Sequence, residues 1–74
     1  MNVKYEKFKS GWVGISLALS PDEIDLFIQR LTELKIGRIG HFHVRNEDFS
    51  AEEGISDIEI TTIGGNESDN MIID

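Results

Sequence analysis

The chain contains no cysteine and a single proline. The missing thiols exclude disulfides and thiolate metal centres, so the fold must be held by its core. Long apolar runs are also missing. No segment approaches the ~20 apolar residues of a membrane span. The opening residues, Met1 to Lys7, carry no apolar stretch of signal-peptide length. These absences lead us to expect a soluble, cytoplasmic protein. Catalytic motifs are missing too: there is no nucleophile motif, no glycine-rich phosphate loop and no carboxylate pair at a recognisable spacing. The expectation is therefore a protein that is not an enzyme and needs no cofactor.

Positive charge is missing from one half. All seven Lys and Arg lie at or before Arg45, beside five carboxylates, for a local net charge of +2. From Asn46 onward there are nine carboxylates and no Lys or Arg. Binding to a phosphate backbone or an anionic membrane needs a basic patch, so neither nucleic acid nor membrane is an expected partner. An acidic half suits a basic protein, a cation, or simple solubility.

The 74 residues suffice for one domain. At this size the stability is only about 4–11 kcal/mol, which favours presenting a surface over enclosing a substrate. Residues 3–9 alternate loosely as a short edge strand, and Ser10-Gly11 reads as a two-residue turn. Residues 12–19 alternate cleanly. Val13, Ile15, Leu17 and Leu19 form an apolar face that we expect to be buried.

Ser20-Pro21-Asp22-Glu23 is a capping box with proline at the first helical position. Asp22, Glu23 and Asp25 sit where the helix dipole favours negative charge. Ile24, Phe27, Ile28, Leu31 and Leu34 make one apolar stripe, and Leu26 lies off it. Lys35 and Gly37 mark the end of the helix. A third strand over 39–45 and a fourth over 57–63 follow, ended by Gly64-Gly65. Met71-Ile72-Ile73 either docks as a last short strand or frays. The expected fold class is α+β in the order ββαββ, one amphipathic helix on one face of a small, largely antiparallel sheet. Residues 1–65 form the domain, and 66–74 an acidic, flexible tail.

One helix covers one sheet face and leaves the other open. If Phe42, Val44, Ile58 and Ile60 face the helix, then His41, His43, Arg45, Asp57, Glu59 and Thr61 share the open face. An antiparallel pairing with Arg45 opposite Asp57 sets His43 opposite Glu59 and His41 opposite Thr61. Trp12 and Ser16 would join this surface. His41-x-His43 can reach one metal ion, with Glu59 or Asp57 as third ligand. The plainer reading is a solvated polar face with His–carboxylate pairs. A His–Glu pair also fits general acid–base chemistry, without other support. Asn46-x-Asp48-x-Ser50 resembles the start of a calcium loop but lacks the required glycine and final glutamate.

Protein recognition is the third reading. It would use Trp12, His41, His43, Arg45 and Glu59 on the open face, with Glu47, Asp48, Glu52 and Glu53 in an acidic loop that steers a basic partner. Closure of that face in a homodimer is its alternative.

An amphipathic helix, then His41-Phe42-His43-Val44, then Glu47-Asp48-Phe49-Ser50 with Gly54, then Ser56-Asp57-Ile58-Glu59-Ile60 resembles small immunity-type proteins of bacterial polymorphic toxin systems. The resemblance covers roughly residues 24–60. It implies a non-enzymatic cytoplasmic inhibitor that binds and blocks a cognate toxin. The acidity suits a basic toxin such as a nuclease. No contact residue is carried over.

Overall fold

A computed structural model describes residues 1–47, 53–65 and 71–74. Asp48, Phe49 and Ser50 of the calcium-loop-like segment, Asp48 and Glu52 of the acidic loop, and residues 66–70 of the tail lie outside these. The element order is β1 (Asn2–Lys7), β2 (Val13–Ala18), α1 (Pro21–Lys35), β3 (His41–Arg45) and β4 (Asp57–Thr61). The ββαββ order of an α+β chain is therefore present. The single sheet is not: β1 pairs with β2 and β3 with β4, both antiparallel, as two separate two-stranded sheets. Residues 71–74 form no strand, and Met71, Ile72 and Ile73 are fully exposed. Among the described residues no helix is long and apolar enough to cross a membrane.

The first hairpin closes through a three-residue loop, Lys9-Ser10-Gly11, and not the expected two-residue turn. The Gly11 N–H donates to the Phe8 carbonyl at 3.1 Å, and the Phe8 N–H to the Trp12 carbonyl at 2.8 Å. Gly11 sits at φ +93, the left-handed position that such a loop places after its type I turn. Val3 lies opposite Leu17 and Tyr5 opposite Ile15, which gathers the large apolar side chains on one face. That face is not buried as expected. Val13, Ile15 and Leu17 are all exposed.

The helix forms as its caps require. Ser20 Oγ accepts from the Glu23 N–H at 3.3 Å, and Glu23 Oε1 accepts from the Ser20 N–H at 3.0 Å. At the other end Gly37 adopts φ +77. Its N–H reaches the Leu34 carbonyl, and the Arg38 N–H reaches the Glu33 carbonyl at 2.9 Å, a Schellman pair that satisfies two orphan carbonyls.

The helix meets the second hairpin through Phe27, packed edge-to-face on Phe42 with centroids 5.6 Å apart. Phe42, Val44, Ile58 and Ile60 are partly buried, in keeping with a helix-facing surface. The packed side of the helix is displaced from its apolar stripe, however. Glu23, Phe27, Arg30, Glu33 and Leu34 are the covered positions, while Ile24, Ile28 and Leu31 stay exposed. At 3.6 residues per turn the two sets are offset by roughly a third of a turn. Leu34 is the one apolar residue among the described residues that is buried, and none is fully so.

Candidate functional site

Two surfaces hold the residues of interest. The first is the polar face of the second hairpin. Its register sets His41 opposite Thr61, His43 opposite Glu59 and Arg45 opposite Asp57. Alternation therefore places all six on one side of the sheet. The ladder is extended by the Asn46 N–H, which donates to the Ser56 carbonyl at 2.9 Å. At the other end the Thr61 hydroxyl donates to the Gly40 carbonyl at 3.2 Å.

Within this face the side chains do not simply meet their register partners. His43 Nδ1 lies 3.0 Å from each carboxylate oxygen of Asp57, the diagonal neighbour. Arg45 Nε approaches the same carboxylate at 3.5 Å. Asp57 thus links a half-buried imidazole to an exposed guanidinium. A carboxylate only accepts hydrogen bonds, so Nδ1 carries the proton, and in the neutral ring Nε2 carries the lone pair. The His41 and His43 rings stand perpendicular, with centroids 5.1 Å apart. One ligand atom each from His41, His43 and Glu59 lies within 4.8 Å of the others. The sequence pattern already marked these three. The role of Asp57 as partner of His43 was not marked, because alternation fixes a face and a direct partner but not a rotamer.

The second surface is apolar and open. Apolar residues are open both on the Val13–Ile15–Leu17 face of the first hairpin and on the Ile24–Ile28–Leu31 strip of the helix. Between the hairpins and the helix runs a half-open cleft of about 980 Å³, whose walls include Val3, Tyr5, Leu26, Phe27, Phe42 and Ile58. Glu47 and Glu53 line it as well, with Arg30 and Arg45. Trp12 is exposed on the first hairpin. With the two sheets separate, no strand pairing carries Trp12 or Ser16 onto the histidine face. Asp48 and Glu52 fall outside the described residues.

Among the described residues, the one resolved electrostatic effect lies at the helix start. A hydrogen bond from the Met1 ammonium, aided by the Ser20 backbone and hydroxyl, lowers the Glu23 carboxyl from 4.5 to about 2.

No protein-family model, curated protein or solved structure matches this chain. Its function is therefore read from its own geometry.

Proposed function

We propose that this chain is a non-enzymatic protein-binding domain whose partner is a basic protein, acting as an immunity-type inhibitor of a cognate toxin. The observation that carries the reading is the open apolar strip of the helix. Ile24, Ile28 and Leu31 are 46%, 56% and 40% exposed although they form the most regular apolar pattern in the sequence. Contiguous apolar surface left open in a small domain marks an interaction site. Burying it on a partner would recover roughly 25 cal/mol per Å² of apolar area.

Charge selects the partner class. The chain carries a net −7, so a second copy is repelled while a basic protein is attracted and steered. Glu47 and Glu53, both exposed, supply part of that field beside the cleft.

The test is a calorimetric titration with the product of the adjacent coding sequence, at low and at high salt. Binding that weakens as salt rises supports a basic partner. No binding, together with a solution mass that grows with protein concentration and with salt, would replace this reading with a homodimer.

A further inference from the structure

We propose that His41, His43 and Glu59 form a divalent transition-metal site of the zinc type on the polar face of the second hairpin, with Asp57 as its positioning residue. This goes beyond the protein-binding reading and does not depend on it.

The backbone brings the three ligands together before any side chain moves. His41 and His43 are two apart on β3, so both imidazoles leave the same face. Glu59 lies directly opposite His43 on β4. Their ligand atoms are within 4.8 Å of one another. In a tetrahedral zinc centre with bonds of ~2.0–2.1 Å, neighbouring ligand atoms are about 3.3 Å apart. A bound ion would have to close the remaining gap by side-chain rotation. Two imidazoles and one carboxylate form a borderline donor set that suits zinc and neighbouring transition ions better than calcium or magnesium.

Asp57 supplies a second, independent observation. It holds His43 Nδ1 at 3.0 Å, and so in the neutral ring directs the lone pair to Nε2. A carboxylate on the far nitrogen is the arrangement that orients metal-binding histidines and raises their basicity. Arg45 at 3.5 Å keeps Asp57 in place and offsets its charge. Three protein ligands leave a fourth position for water or for a donor from a bound molecule.

The plain alternative is a solvated face whose histidine merely pairs with a carboxylate. Zinc titration of the tag-free chain separates the two, read by calorimetry and by the imidazole ¹⁵N signals. A metal site should bind one zinc per chain. It should shift the Nε2 signal of His43 together with the ring of His41, while His43 Nδ1 stays protonated. His41→Gln and Glu59→Gln should each abolish one-to-one binding, and Asp57→Asn should weaken it roughly 10–100-fold. Calcium should produce no imidazole shift. His41 and Glu59 are exposed, so these variants should keep the wild-type far-ultraviolet spectrum. Unmoved imidazole signals at a tenfold excess of zinc, or zinc binding that survives both His41→Gln and Glu59→Gln, would overturn the proposal.

Discussion

Phe27 and Phe42 meet edge-to-face at 5.6 Å with ring planes 81° apart, and this contact ties the helix to the second hairpin. Such pairs contribute about 0.5–1.5 kcal/mol beyond the area they bury. A double-mutant cycle with Phe27→Leu and Phe42→Leu, followed by urea unfolding, should show a coupling of that size. Strict additivity would mean that the helix is held elsewhere.

The helix C-terminus depends on one residue. Gly37 sits at φ +77 with open space around the position of a Cβ, so a side chain there meets strain and no clash. Gly37→Ala should cost about 1 kcal/mol. Gly37→Asn should cost less, because asparagine tolerates the left-handed region. Urea midpoints of the two variants give the comparison.

At the helix start, Glu23 titrates near 2 and not near 4.5. A depressed carboxyl favours the fold only while it is ionised. Its stabilisation is therefore full above 4.5 and is lost as the pH falls toward 2. The carboxyl ¹³C shift of Glu23 should show a midpoint near 2. Ser20→Ala should raise that midpoint and cost about 1 kcal/mol by removing the cap. An unchanged midpoint in Ser20→Ala would leave the Met1 ammonium and the backbone N–H of residue 20 as its causes.

Much of the second half of the fold was legible in the sequence. Strict alternation in His41–Arg45 and Asp57–Thr61 sorts side chains by face, while the register with Arg45 opposite Asp57 is one pairing that opposite charges favour without fixing it. That register is the one observed. The helix was legible because Ser20, Pro21, Glu23 and Gly37 each carry a local rule. The diagonal reach of Asp57 to His43 was not, since neighbours two residues along remain within reach of long side chains. Nor was the division into two sheets, because pairing between hairpins is a long-range choice without a local signal. The apolar stripe names a face, but it does not say which element covers it. Here Ile24, Ile28 and Leu31 stay exposed among the described residues.

That open strip decides the central claim most directly. Ile28→Asp places a charge on it at a helix position 56% exposed. Isoleucine and aspartate have similar helix propensities, and exposed substitutions usually move stability by about 0.5 kcal/mol or less. The measurement is calorimetric affinity for the adjacent gene product, with urea unfolding of the same two proteins. The expected result is affinity lower by on the order of 30-fold or more at nearly unchanged stability. Wild-type affinity in Ile28→Asp would contradict the claim that this strip is the surface by which the domain binds its partner.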